Sequence, residues 1–253
     1  MRLKVLGSSS KGNCYILEND TECLIMEAGI SLSTVKEALK FTKKKVVGCI
    51  VTHRHGDHAN YALNLMSWGI NLLAHEDVFD SIAQRARIGD LAKIETRKKV
   101  AQHGKVEHLG GFAIRPLSVD HDEDVPCFCY QIAHKDIGVL LFATDFVSMP
   151  YKFNNLSVIM IEANYMNDIM DHNVSEGVID EWRAKRTRNS HCELGTAIKV
   201  INAQNLCDVR KVILLHLSGE NADGYHFQTE VERQTGIPTT VARSGLTIEL
   251  SKI

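Results

Sequence analysis

No apolar run in this chain approaches the roughly 18 residues that a membrane-spanning helix requires. A charged-then-apolar leader is missing too, because Met1-Arg2-Leu3-Lys4-Val5-Leu6 goes straight into strand-like alternation. The expectation is a cytoplasmic protein with no membrane partner. Prolines number only 4, and no stretch rich in Pro or Ser marks a linker, so one domain over residues 1–253 is expected. There is no excess of either charge. A net charge of −2 supplies no whole-molecule field for a polyanion, so any nucleic-acid contact must come from a local basic patch. Three basic stretches qualify: Lys43-Lys44-Lys45, Arg97-Lys98-Lys99 and "RAKRTR" at 183–188. Each reads as a solvated face, and only the last is also a candidate for substrate contact, because of what lies beside it. Finally, there is no Cys-x-x-Cys. The 7 cysteines (Cys14, Cys23, Cys49, Cys127, Cys129, Cys192 and Cys207) are odd in number and irregularly spaced. That excludes a disulfide framework and reads as reduced thiols, mostly buried as small hydrophobes.

What is present is strand and helix in alternating blocks. "RLKVL", "NCYILE" and "TECLIMEAG" read as three strands of a meander, followed by a helix over 33–40 and a strand over 46–51. A helix carrying Ala59, Ala62, Leu63 and Met66 comes next, then a strand at 71–74 and a helix near 78–86. Residues 112–119, 127–133 and 137–143 form a second strand series, and "LSVIMIEA" reads as a buried strand. Val174, Val178, Ile179 and Trp182 share one helical stripe, and Leu194, Ala197, Ile198 and Ile201 another. A strand at 211–215, a helix near 227–234 and a closing strand "LTIEL" complete the chain. Two strand-rich blocks, each followed by helices, imply one layered α/β domain with two sheets inside and helices outside.

The stretch "VTHRHGDHAN" packs three histidines and an aspartate into six positions at the end of a strand. His53 and His55, two apart in an extended segment, leave from the same side. Gly56 permits a sharp turn, after which Asp57 and His58 start a helix and can bend back toward the same point. Imidazole and carboxylate together suit Zn²⁺ and related ions. Four ligands rarely come from one loop, so partners are sought among His or Asp residues directly after apolar runs. His121 after "FAIRPLSVD", Asp145 after "GVLLFAT" and His216 after "KVILL" satisfy that rule. In a layered sandwich such strand ends lie along one rim.

With these residues in view, the chain resembles the metallo-β-lactamase fold superfamily, and within it the YycJ/WalJ group. The resemblance rests on "GSSSKGNCYILE", "VTHRHGDHAN", "VDHD", "LLFATD", "NSHCE" and "LLHLSGEN", spread over residues 7–221. It implies a four-layer αββα sandwich of two mixed β-sheets and a centre for two divalent ions, Zn²⁺ or Mn²⁺. His53, His55 and His121 would hold one ion, Asp57, His58 and His216 the other, and Asp145 would bridge them. One departure stands out: Glu27-Ala28-Gly29 occupies the place where the family carries an Asp, so the longer Glu27 supports the centre from behind the ligands in a different way.

Activity follows from the same comparison. Asp57 is the expected orienter of the attacking water. His191, in "TRNSHCELG" between two helical stripes, is a candidate for contacting phosphate or protonating the leaving oxygen, and alternatively belongs to a helix start. Ser218 and Asn221 in "HLSGEN" are candidates for holding a phosphate or for forming a turn. The Gly7–Asn13 loop lacks the Gly-Lys-Ser/Thr ending of a phosphate loop and reads as a tight turn on the rim. The resemblance implies a metal-dependent phosphodiesterase or nuclease acting on nucleic acid or nucleotides, DNA exonuclease-like. A cyclic-nucleotide phosphodiesterase of the phage anti-defence type, a lactone or thioester hydrolase, and a metal-binding regulator without turnover stay open, as does a homodimer.

Overall fold

Strands form here under two patterns, and each pattern reports where its strand sits. The computed structural model describes residues 1–41 and 45–250, so Lys43 and Lys44 lie outside the described residues. In β1 (Arg2–Gly7) buried Leu3 and Val5 alternate with more accessible neighbours, as one buried face requires. In β11 (Leu156–Glu162) every residue is buried. Val158 and Met160 point into the space between the sheets, while Ile159 and Ile161 point toward the helices. A strand covered on both faces must be apolar throughout, which is why that segment shows no alternation.

Two seven-stranded mixed sheets result. The first runs β14 (Thr247–Glu249), β1, β2 (Cys14–Glu18), β3 (Cys23–Met26), β4 (Val46–Ile50), β5 (Leu72–Ala74) and β6 (Lys98–Val100), antiparallel up to β3 and parallel beyond. The second runs β13 (Thr239–Val241), β12 (Lys211–Leu215), β11, β10 (Gly138–Ala143), β9 (Cys127–His134), β8 (Phe112–Val119) and β7 (Glu107–Leu109), parallel as far as β10 and antiparallel after it. Tyr15, Leu17, Met26 and Ile50 of the first sheet meet Phe112, Tyr130, Phe142 and Met160 of the second in the central core. Outside the first sheet lie α1 (Leu32–Ala38), α2 (Gly56–Ala59), α3 (Ala62–Ser67), α4 (Glu76–Arg85) and α5 (Leu91–Arg97), which bury Val35, Leu65, Phe79 and Ile94 against it. Outside the second lie α8 (Leu194–Asn202) and α9 (Gly224–Thr235). In α8, Leu194, Ala197, Ile198 and Ile201 form the expected stripe, and each large aliphatic side chain buried there contributes about 1.5–3 kcal/mol. The order of layers is αββα.

Three three-residue strands, β6, β7 and β13, carry no expectation from the sequence. The stripe through Val174 and Trp182 is not one helix. α6 (Asn167–Ser175) ends before Gly177, whose φ of 71° is left-handed, and α7 (Glu181–Ser190) begins afresh behind an Asp180 cap. Val178 and Trp182 are consequently exposed. The helix expected across Ala59 to Met66 is likewise two, α2 and α3. All seven cysteines are free, and all but Cys207 are buried. No helix among the described residues is long and apolar enough to cross a membrane.

Candidate metal centre

The parallel strands of both sheets present their carboxyl ends to one rim, and the polar residues of interest follow those ends directly. Glu27 comes after β3, His53 after β4, Asp145 after β10 and His216 after β12, while Glu162 is the last residue of β11. His121 follows the antiparallel β8 on the same side. Glu27, Asp145 and His216 have left-handed φ values of 67°, 56° and 53°. Non-glycine residues held there carry backbone strain of the order of 1–3 kcal/mol. The chain turns abruptly at all three places and aims the side chains inward.

Two sets of donor atoms converge. In the first, His53 Nε2 is 3.0 Å from His55 Nδ1, which is 3.2 Å from His121 Nε2. In the second, Asp57 Oδ2 lies 3.3 Å from both His58 Nε2 and His216 Nε2, and Asp145 Oδ2 lies 3.3 Å from His58 Nε2. Asp145 Oδ2 is also 3.9 Å from His53 Nε2, so this carboxylate stands between the sets.

The opposite edge of each imidazole decides what the converging atoms can be. His121 Nδ1 donates to the Ser190 carbonyl at 2.8 Å, so its Nε2 keeps a lone pair. His216 Nδ1 lies 3.1 Å from the carboxylate Oε1 of Glu162, His53 Nδ1 is 3.0 Å from Thr52 Oγ1, and His55 Nε2 is 3.5 Å from Asp122 Oδ2. His58 Nδ1 has Glu27 Oε2 at 3.5 Å and no hydrogen bond of good geometry. A ring nitrogen anchored on an outer carboxylate or carbonyl while the other faces a shared point is how metal-binding histidines are oriented. Lone pairs facing each other at 3.0–3.2 Å repel unless a cation lies between them. A tetrahedral ion bound at about 2.0–2.1 Å would set its nitrogen ligands roughly 3.3–3.4 Å apart, close to the spacing found. The donor sets fit divalent metal.

Electrostatics separate the halves. Burial, reinforced by neighbouring imidazoles, lowers the pKa of His53, His55 and His121, which keeps them neutral and ready to ligate. His58 and His216 are buried as well, but the carboxylates around them, Asp145 above all, outweigh that and raise both. Asp57 and Asp145 are lowered: burial opposes ionisation, and the hydrogen bonds and charges of His58 and His216 overcome it. Glu27 is pushed up by its burial, which outweighs the opposing contacts of His58 and Thr52.

His191 lies beside this centre. Its Nδ1 is 2.7 Å from Glu162 Oε1, and Glu162 Oε2 accepts the backbone N–H groups of Phe146 and Cys192. Burial would lower the pKa of His191, but Glu162 and Asp145 raise it. The Ser218 hydroxyl oxygen accepts from the N–H groups of Glu220 and Asn221 and so fixes the turn, and Asn221 Oδ1 accepts from Asn173. His191, Ser218 and Asn221 all line the cavity of about 370 Å³ that opens over Asp57, Asp145 and His216. The Gly7–Asn13 loop reaches the centre from below. Asn13 Nδ2 is 3.1 Å from His58 Nε2, and Ser8 Oγ accepts the backbone N–H of His216. Gly29 is obligatory here, since a Cβ would stand 1.7 Å from the Asp57 carbonyl oxygen. His172 is exposed on α6 and does not line the cavity.

Glu162, Asn13 and Ser8 were not among the sequence candidates. Glu162 ends the apolar strand "LSVIMIE" and would have been found by a rule admitting Glu beside His and Asp. Asn13 and Ser8 have no such signal, because turn residues carry Asn and Ser for many reasons.

An αββα sandwich with a His/Asp centre suited to divalent cations at its rim defines a class of hydrolases. The chain belongs to the beta-lactamase superfamily, whose domain model matches residues 27–217. It is 26% identical over 231 residues to the exodeoxyribonuclease WalJ of Streptococcus pneumoniae, covering 87% of this chain and 82% of that one. Among solved structures, the metallo-beta-lactamase fold protein YhfI from Bacillus subtilis superimposes with a TM-score of 0.70 at 14% identity, covering 98% and 99% of the two chains. Zn²⁺-bound PqqB from Methylobacterium extorquens gives 0.68 at 15% identity, covering 99% and 100%.

Proposed function

We propose that this protein is a metal-dependent phosphodiesterase acting on nucleic acid, with exonuclease-like activity on DNA. The observation that carries the reading is the pairing of two donor sets around one shared carboxylate, Asp145, with a Glu162–His191 pair beside them. In this reading His53, His55 and His121 would hold one divalent cation, Asp57, His58 and His216 would hold the other, and Asp145 would serve both sets. Two such ions, when bound, supply a nucleophile from water at neutral pH and offset charge on the phosphoryl oxygens. The chain's own groups do the rest. Asp57 orients the attacking water. Glu162 accepts from Nδ1 of His191, leaving Nε2–H as the free edge that protonates the departing oxygen. Ser218 accepts two N–H groups through its oxygen and keeps its own proton to donate to a phosphate oxygen, and Asn221 keeps its amide NH₂. Relatives named exodeoxyribonuclease support DNA as the polymer.

The test is a panel of bis-p-nitrophenyl phosphate, linear DNA, RNA, cyclic mononucleotides and a lactone, each with Zn²⁺ or Mn²⁺. Metal-dependent cleavage of DNA and of the nitrophenyl diester is the expected result, and hydrolysis confined to the lactone would overturn the reading. Elemental analysis should find about two ions per chain, as a two-metal site demands, and no more than one in fully active protein would reject that site.

Ion binding should also release protons. His58 and His216 have raised pKa values, so their protonated forms persist above the ordinary 6.5 and compete with the cation. Affinity should therefore fall as pH is lowered through neutrality and rise as it is raised. Calorimetric titration at pH 7 in buffers of different ionisation heat measures this directly, and an exchange of no protons would contradict it.

A further inference from the structure

We propose that α7 is a platform for single-stranded nucleic acid, in which Arg183 and Arg186 hold phosphates next to the scissile one and Trp182 stacks on a base just outside the cavity. The inference rests on the phosphodiesterase reading and names the substrate form that the same site takes.

Four cationic side chains, Arg183, Lys185, Arg186 and Arg188, stand within the ten residues of α7 against one acid, Glu181. In a chain of net charge −2 this is a local concentration, and part of it faces the catalytic cavity. Arg183, Arg186, Thr187 and Ser190 all line that cavity, as positions three and four apart on one helical face must. Arg183 is held by Glu220 at 2.7 Å, and Arg188 is tied to Asp171. The Arg186 side chain has no hydrogen bond or ion pair among the described residues, although it stands over a centre rich in polar groups. An unpaired guanidinium beside a phosphodiester-cleaving centre is suited to a phosphate of the same strand.

Trp182 is 71% exposed. It stands four residues before Arg186, about 40° round the helix, and lines a separate hollow beside α7 rather than the cavity itself. A strand lying across Arg186 would bring its next base over that indole. Indole stacking is indifferent to sequence and needs a base whose face is uncovered, which a single strand offers and a duplex does not. Lys185 and Arg188 line the same exposed hollow as Trp182, but Asp171 and Glu181 offset them there, so the phosphate contacts fall to Arg183 and Arg186.

The protein contains only 2 tryptophans, and the other, Trp68, is partly buried beneath Lys36. Indole fluorescence therefore reports on α7. The metal-loaded full chain is titrated with a phosphorothioate-linked (dT)₈, following tryptophan quenching and the anisotropy of a labelled copy across a salt series. Quenching is expected in the wild type. It should be lost in Trp182→Phe, with affinity weakened by roughly 5-fold or more and partly regained in Trp182→Tyr. Arg186→Ala should lower the slope of log affinity against log salt by about 0.7, the value for one single-strand phosphate contact. Both positions are exposed, and a circular dichroism melt confirms that the variants are folded. Wild-type affinity in Trp182→Phe together with an unchanged salt slope in Arg186→Ala would overturn the platform. The wild type's turnover of bis-p-nitrophenyl phosphate is scored alongside: turnover with unaffected variant binding rejects the platform alone, and quenching without any phosphodiester turnover rejects the activity alone.

Discussion

On the proposed two-ion reading, Asp57→Ala is expected to lower kcat by at least ~10² and to release one ion. The size of the effect follows from how much converges on a single carboxylate. Asp57 Oδ2 lies 3.3 Å from both His58 Nε2 and His216 Nε2, so it joins an imidazole on α2 to one that follows a strand of the second sheet. Deleting it leaves His58 and His216 to Asp145, Glu27 and Glu162, and in the proposed mechanism it removes the group that orients the attacking water. The backbone is secured independently, because the Asp57 carbonyl accepts the N–H of Asn13 at 2.8 Å. The variant should therefore fold, as a circular dichroism melt would verify. Near-normal turnover in a folded Asp57→Ala protein would place the chemistry elsewhere.

His191→Ala should separate two substrates rather than lower activity evenly. An alkoxide leaving from DNA is a poor leaving group and needs a proton, whereas p-nitrophenolate departs without one. Loss of a positioned acid is worth roughly 10²–10⁴ in rate, and that loss should fall on DNA while bis-p-nitrophenyl phosphate is spared most of it. Two observations motivate the expectation: Nδ1 of His191 lies 2.7 Å from Glu162, and that carboxylate favours its protonated form. His191 is also the residue that ends α7. Were ending the helix its only task, both substrates would slow equally and slightly, and the melting temperature would fall instead. Steady-state rates on both substrates decide between these outcomes.

How much of this could be read from residues alone depended on the length of each signal. The two-sheet, helix-outside arrangement was legible because α8 and the longer strands repeat their pattern several times. The centre was legible because strand ends mark themselves: an apolar run that stops at His or Asp names both a position and a chemistry. Glu162 went unread for want of one residue type in that rule. The break between α6 and α7 went unread for a different reason. Val174, Val178, Ile179 and Trp182 fit a helical period, but Gly177 adopts a left-handed conformation that the spacing cannot register. Trp182 was thereby grouped into one helical stripe with Val174 and Ile179, whereas it is among the most exposed large hydrophobic side chains of the described residues. Contacts such as Ser8 with the His216 amide join residues 208 positions apart, and no local pattern encodes them.

The left-handed backbone at Glu27, Asp145 and His216 has a consequence for how this sequence can drift. At each of the three, glycine would relieve the backbone, and at the two carboxylates it would also remove an acid buried at 0–2% exposure. At Glu27, whose burial pushes its carboxyl up, stability alone favours the change, whereas at Asp145 and His216 the ion pair between them at 3.1 Å opposes it. A descendant released from selection for the chemistry should therefore lose Glu27 first, and should become more thermostable as it does so. Glycine at position 27 would then mark a lineage that kept the sandwich and abandoned the reaction.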